Sequence, residues 1–340
     1  MQLRFAAVKP SHARFTSPFA LACVLCITPN LHASYIFQDV IDPGDVTFNQ
    51  VLGINNTGMI SGYFGSGMAG FPNKGYTSTP PYTAFSNENF PGSVQTQVVG
   101  INNTGTTVGF WSDTNLGVGL DANFGFTDIG GSFTSVVNPL TPSGMGTIPT
   151  NQLLGVNDGG VAVGFYVDSM GNPQGYLYNT MTLAFTPFTV PAQDNSTLAG
   201  INNAGVLAGF YNNGTSDVGF IDNGGTFQYL QAFGDSTMFF GINNNGYAVG
   251  TYVDGTGQSH GILYNIASQT FQVVDDPNAA AGDGNGTTLN GINDQNQLVG
   301  FYVNGDGNTI GLVADPVPEP ASFGLAGLGF LITSLRRRKS

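Results

Sequence analysis

The chain has 340 residues, only 9% of them charged, with 21 acidic against 8 basic groups and 50 glycines. Two cysteines and three histidines leave little material for disulfides, thiolate chemistry or multi-histidine metal centres. The formal charge of −13 excludes nucleic acid as a partner, because phosphate needs cations to replace its counterions.

In chain order, residues 1–33 read as an export signal. Arg4, Lys9 and Arg14 precede the apolar run FALACVLCIT, Phe19 to Thr28, which is too short for a usual membrane span. Cleavage is expected after Ala33. Cys23 and Cys26 have CxxC spacing, but they lie in this run and leave with it, so the mature chain has no thiol. Between Ser34 and Asp315 there are twenty acidic groups and one basic one, Lys74, a formal charge of −19. That body is nevertheless rich in Phe, Tyr, Val, Ile and Leu, enough for a core, and its Gly, Asn and Thr content points to short strands and turns.

Six copies of one pattern fill residues 34–315. They read GINNTGMISGYF from Gly53, GINNTGTTVGFW from Gly100, GVNDGGVAVGFY from Gly155, GINNAGVLAGFY from Gly200, GINNNGYAVGTY from Gly241 and GINDQNQLVGFY from Gly291. A period of roughly 40–55 residues suits four short strands plus turns, the size of a propeller blade. Strand a ends in the Gly-Ile-Asn segment, Asn-Asn-x-Gly turns, and GxxVGFY is strand b. Strand c follows, as in GYLYN from Gly175, and strand d ends near a proline, as in FQVVDDP ending at Pro277. The pattern resembles the HAF-type repeats of bacterial extracellular proteins, although the His-Ala-Phe triplet is absent and His260-Gly261-Ile262 comes nearest to it.

The body opens on YIFQDVIDP, Tyr35 to Pro43, a strand d without its blade, and the sixth repeat stops at strand c. The first segment can complete the last blade and remove an exposed edge. The expectation is an all-β chain: a six-bladed β-propeller closed by its N-terminal strand, with a signal peptide before it and a transmembrane sorting helix after it. A β-solenoid is the alternative architecture.

Three repeat positions are candidate sites. Four residues before each repeat glycine stand Asn49, Thr96, Asn151, Ser196, Thr237 and Thr287, all small and polar. At the start of strand a they are expected to ring the channel mouth and bind a neutral ligand such as extracellular polysaccharide. The aromatics Phe64, Trp111, Tyr166, Tyr211, Tyr252 and Tyr302 follow each second glycine and read as blade-to-blade packing, with sugar stacking as the alternative. Asp113, Asp168 and Asp254 open b–c hairpins; Asx turns explain them, and Ca²⁺ on hard oxygen ligands is the competing reading. No other cofactor is expected. His260 is the one histidine of the body, nothing near a serine resembles a nucleophile elbow, and no arginine remains to clamp phosphate. These features favour a non-enzymatic scaffold. A glycan-active enzyme using paired aspartates on the loop face is the alternative.

Residues 316–340 end the chain. Pro318-Glu319-Pro320 precedes an apolar stretch from Ala321 to Leu335 and the basic stop Arg336-Arg337-Arg338-Lys339. Fifteen helical residues span about 22 Å, short of a hydrocarbon core of roughly 30 Å, and the cationic cluster should stay cytoplasmic. The arrangement resembles the PEP-CTERM tail of bacterial envelope proteins. That resemblance implies recognition by an exosortase-type protease, transient anchoring through the apolar helix, and delivery to the envelope or matrix of a Gram-negative-type bacterium.

Overall fold

The computed structural model describes residues 34–317 apart from Met145 and Asp235; the export signal, the Pro318–Glu319–Pro320 triplet, the apolar stretch and the basic stop Arg336–Arg338 lie outside the described residues. Among the described residues no helix is long and apolar enough to cross a membrane.

The chain enters on β1 (Tyr35–Val40). Four strands then form the first sheet: β2 (Asn49–Ile54), β3 (Ile60–Phe64), β4 (Lys74–Ser78) and β5 (Phe85–Asn87). The same order recurs in β6 (Gln95–Ile101), β7 (Thr107–Ser112), β8 (Phe124–Ile129) and β9 (Ser132–Val136). It recurs again in β10 (Asn151–Val156), β11 (Val161–Val167), β12 (Pro173–Asn179) and β13 (Phe185–Pro187), and in β14 (Thr197–Ile201), β15 (Leu207–Asn212), β16 (Asp217–Asn223) and β17 (Thr226–Leu230). The remaining strands are β18 (Ser236–Ile242), β19 (Tyr247–Val253), β20 (Ser259–Asn265), β21 (Thr270–Val273), β22 (Gly286–Ile292), β23 (Leu298–Val303) and β24 (Thr309–Pro316).

Local chemistry explains why the repeat folds this way. In the first a–b turn Asn55 Oδ1 accepts the Thr57 and Met59 amides, and Gly58 takes φ +80°. The sixth repeat, GINDQN, has no glycine at that position; Asn296 adopts φ +59° instead. Every strand a carries a bulge just before its repeat glycine, for example between Val51 and Gly53 and between Leu289 and Gly291. The bulge turns that glycine toward the next blade. A Cβ on Gly100 would stand 3.0 Å from the Gly155 Cα, and one on Gly291 3.0 Å from the Leu52 carbonyl oxygen. The glycines are needed because six backbones meet closely at the axis.

The expectation of six separate blades is corrected. Four sheets are discrete four-stranded blades, and the other strands form one eight-stranded sheet, β1-β24-β23-β22-β20-β19-β18 with β21 on β20. The join is a parallel pair between Ser259 of β20 and Gly286 of β22. Glycine allows it: Gly286 sits at φ +108°, and a Cβ there would overlap the Ser259 carbonyl oxygen. Where other residues hold the matching position only isolated bridges form, Phe48 with Thr309 and Asn123 with Thr150. At the outer edge β1 pairs antiparallel with β24 from Tyr35↔Pro316 to Val40↔Gly311, and Val40 is fully buried.

The core lies between neighbouring sheets. One position of strand c supplies Tyr76, Phe126, Tyr176, Phe220, Ile262 and Leu312, each at most 1% exposed. Flanking aromatics pack beside them, such as Phe85 on Tyr76 and Phe188 on Phe220.

Candidate functional site

The polar ring expected at the channel mouth is buried instead. Asn49, Thr96, Asn151, Thr237 and Thr287 have no exposed surface and Ser196 has 2%. Their side chains hold the neighbouring strands and d–a turns. Asn49 Oδ1 accepts the Asp42 amide, Thr96 Oγ1 the Phe90 amide, and Thr237 Oγ1 the Ala232 amide. Ser196 Oγ accepts the Gly175 amide and Thr287 Oγ1 the Asp276 amide. Asn151 bonds most fully: Oδ1 accepts the Asn138 amide and the Tyr176 hydroxyl, and Nδ2 donates to the Val136 carbonyl. The reason is the strand period of two. A slip of one residue moves a side chain to the opposite face, so the half-buried position is the next one: Gln50, Gln97 and Gln152 in the first three blades, against Met238 and Thr288 later in the chain, while Thr197 there stays buried.

The calcium candidates do not converge. Asp168 Oδ1 accepts the Met170 and Asn172 amides, and Asp254 Oδ1 those of Thr256 and Gln258, each capping its own five-residue turn. Asp113 is exposed in another loop. Among the described residues no three acidic, histidine or cysteine groups are placed to share a metal ion. The aromatic position packs between blades, as in Trp111 stacked on Phe90 at 4.4 Å and Tyr252 against Phe233 at 5.0 Å, while Tyr252 also stacks on His260 of its own sheet.

At the a–b turn end of the axis two hydrogen-bonded rings close on themselves. In the inner one, Asn55 Nδ2 donates to Asn102 O, Asn102 to Asn157 O, Asn157 to Asn202 O, Asn202 to Asn243 O, Asn243 to Asn293 O, and Asn293 back to Asn55 O. The second ring joins Asn56, Asn103, Asp158, Asn203, Asn244 and Asp294, each backbone N–H donating to the next side-chain oxygen. Its two aspartates stand opposite one another. Asp158 Oδ2 takes the amides of Asn103 and Asn203, and Asp294 Oδ2 those of Asn56 and Asn244. Burial alone would raise both carboxyls; these amide bonds outweigh it and hold them below the ordinary range. Sequence reading saw these residues only as turn formers. With all its amides committed, this end is a latch, and its opening is only about 70 Å³.

The opposite end, where the b–c and d–a loops lie, holds a cleft of about 590 Å³. Its walls come from the first three blades: the rings of Phe48, Tyr63, Phe110 and Trp111, and the amides of Asn73, Gln97, Asn123 and Gln152. Two long b–c loops, 65–73 and 113–123, embrace it; the other four b–c loops are only four or five residues long. Asn115 ties the long pair together, accepting the Gly70 amide on Oδ1 and donating to the Gly67 and Met68 carbonyls. Asp121 organises the second loop by accepting Thr114 Oγ1, the Leu116 and Gly117 amides and Gln95 Nε2. Burial raises this carboxyl, but those four partners prevail and its pKa is lowered. The sequence signal for the site was available in the insertions that lengthen these two loops.

Two titrating groups elsewhere respond to pH. The His260 imidazole lies between Asp275, 2.7 Å from Nδ1, and Asp254, 3.4 Å from Nε2. Burial would lower its pKa, but the two carboxylates raise it above 6.5. A raised histidine stabilises fully below its unfolded value and loses that contribution as pH rises through the folded value. His260→Gln should therefore flatten the fall in Tm between about pH 6 and 8.

Glu88 accepts Thr107 Oγ1 at 2.7 Å beside Asp128, and burial, with the Asp128 charge adding to it, pushes its carboxyl up to about 6. This contribution too is present below pH 4.5 and lost as pH rises through 6. Glu88→Gln should raise Tm at neutral pH by about 2 °C, from a gain on the order of 1 kcal/mol once partial exposure is allowed for. A melt series from acid to neutral pH reads both effects.

No curated protein matches the chain in sequence. In shape the body is similar to TolB from Acinetobacter baumannii, with TM-score 0.49 and 9% identity over 76% of this chain and 63% of that one. It is also similar to Trypanosoma rangeli sialidase, with TM-score 0.47 and 9% identity over 83% and 59%. A third likeness is to YCF48 bound to D1 peptide, with TM-score 0.41 and 12% identity over 84% and 97%. The chain spans less than two thirds of the first two. Residues 316–339 match the PEP-CTERM protein-sorting motif, and the chain therefore carries the tail of an exported protein recognised by an exosortase-type processing system.

Proposed function

We propose that the protein is a non-enzymatic binding scaffold of the cell envelope or extracellular matrix, anchored through its tail until processing and presenting the cleft outward. The observation that carries this reading is the asymmetry of a repeat protein. Both long b–c loops, and Gln97 and Gln152 at the half-buried strand-a position, fall in the first three blades around one cleft. Loops that depart from the scaffold pattern are where binding residues concentrate.

The geometry of the exit supports the orientation. The strand β24 starts at Thr309, whose amide donates to Thr47 O on the cleft side, and runs to Pro316 at the latch side. Val317 leaves there, its amide on Ser34 O. A body tethered at that end turns the cleft away from the membrane.

The enzyme alternative has less support. Asp121 is the one carboxylate lining the cleft among the described residues, and its oxygens are spent on its own loop. The carboxyl neighbours Glu88 and Asp128 lie at the end of the blade away from the cleft, beside Thr107. Hydrolysis through paired carboxyls needs both at one substrate.

The test is incubation of the exported protein with polysaccharide from its own matrix. Retention of the protein with unchanged chain length is expected; new chain ends would contradict the scaffold. Intact-mass analysis of matrix-released protein should show that Arg336 to Lys339 are gone, and finding them attached would contradict processing.

A further inference from the structure

The lining of the cleft is selective about what can fill it. Four aromatic rings and Val118 make its apolar surface, and the two glutamine amides of strand a among them are only half committed. Gln97 Nε2 donates to Asn73 Oδ1 at 2.8 Å and Gln152 Nε2 to Asn123 Oδ1 at 2.6 Å, the same blade-to-blade pairing made twice. Among the described residues no donor is bonded to either Oε1. In the adjoining blade Gln50 is the reverse: its Oε1 accepts the Tyr63 hydroxyl, which leaves its Nε2 to donate. The cleft itself therefore offers two amide acceptors beside flat apolar rings.

An ionic ligand finds no partner here. Lys74, the one cation of the body, donates to the Val94 carbonyl at 2.7 Å, and Asp121 is saturated. A wholly apolar ligand would strip water from amide oxygens and return nothing. A ligand with an apolar face and hydroxyls at its rim satisfies both halves.

We propose that this cleft binds a neutral carbohydrate, a sugar face against the aromatic rings and its hydroxyls on the Gln97 and Gln152 oxygens. This rests on the scaffold reading above and names its ligand class. The exposed apolar side chains Met68, Phe71 and Leu116 of the two loops extend the contact beyond the cleft along a longer chain. The volume is within the range of small-ligand clefts, large enough for a short oligosaccharide.

Trp111 is the sole tryptophan of the chain and lines the cleft, so its emission reports occupancy without a label. The exported protein is titrated with cello-, xylo-, manno- and malto-oligosaccharides, and with oligogalacturonate as the acidic control. At least one neutral series should give a saturable shift that the control does not. Gln97→Ala with Gln152→Ala should weaken it by about tenfold or more, in a protein that still melts in one cooperative step at a somewhat lower Tm because the Asn73 and Asn123 oxygens lose their donors. If the double variant is misfolded, Gln152→Met keeps the side-chain length without the acceptor oxygen and should weaken binding by itself. A shift from no neutral series, or one unaltered in a folded variant, overturns the proposal. Failure here with matrix retention intact removes the neutral sugar from this cleft and leaves the scaffold. Binding with chain cleavage keeps the carbohydrate and removes the scaffold.

Discussion

Deleting Tyr35 to Val40 should cost the body about 5 kcal/mol or more, from the burial and ladder bonds removed, and convert a monomer into an aggregating species. The strand β1 supplies six register pairs to β24 and places Val40, fully buried, against Val51 and Val313. Tyr35 and Phe37 pack on the cluster around Leu298 and Leu312, and Asp39 accepts the Tyr302 hydroxyl at 3.1 Å. Without β1, β24 becomes an unpaired edge carrying Ile310, Leu312 and Val313. Sedimentation and thermal melting of the truncated protein check this; a monomer with unchanged Tm would refute the closure.

Asn151→Ala should be the most damaging single change in the polar ring. It strands the Asn138 amide, the Val136 carbonyl and the Tyr176 hydroxyl between the second and third blades, all bonded to one side chain that has no exposed surface. Leaving such groups unpaired should cost about 3 kcal/mol in total, or roughly 6 °C in Tm for a body of this size. Ligand affinity of the folded fraction should not change, because Asn151 lies beneath the cleft rather than in it. Denaturant titration and a binding isotherm on the same sample separate the two effects. A variant that binds weakly yet melts normally would return Asn151 to the ligand site.

How much was legible beforehand depended on whether a residue acts locally. The Asn-Asn-x-Gly turns could be read because Asn55 and Gly58 act within five residues of each other, and even the glycine-free GINDQN repeat uses Asn296 in the same way. The pairing partner of the first strand could be read because strand c of the last repeat lacked a neighbour. The facing of the polar ring could not. A bulge in each strand a breaks simple alternation, and small polar residues suit a capped buried strand as well as a wet channel. The joined eight-stranded sheet was hidden for a related reason: one glycine, Gly286, decides whether two sheets touch or pair. The asparagine rings are closed by partners 41 to 55 residues away, and in one step by 238. The cleft is not legible in what the repeats share, because it lies where two of them differ.

Hydrogen exchange of the exported protein, with and without polysaccharide from its own matrix, tests the central claim most directly. If binding belongs to the cleft and the remaining blades are its support, added protection should fall on residues 65–73, on 113–123 and on the strand-a starts near Gln97 and Gln152. Protection confined to the asparagine rings from Asn55 to Asp294, or spread over the outer strands, would contradict it.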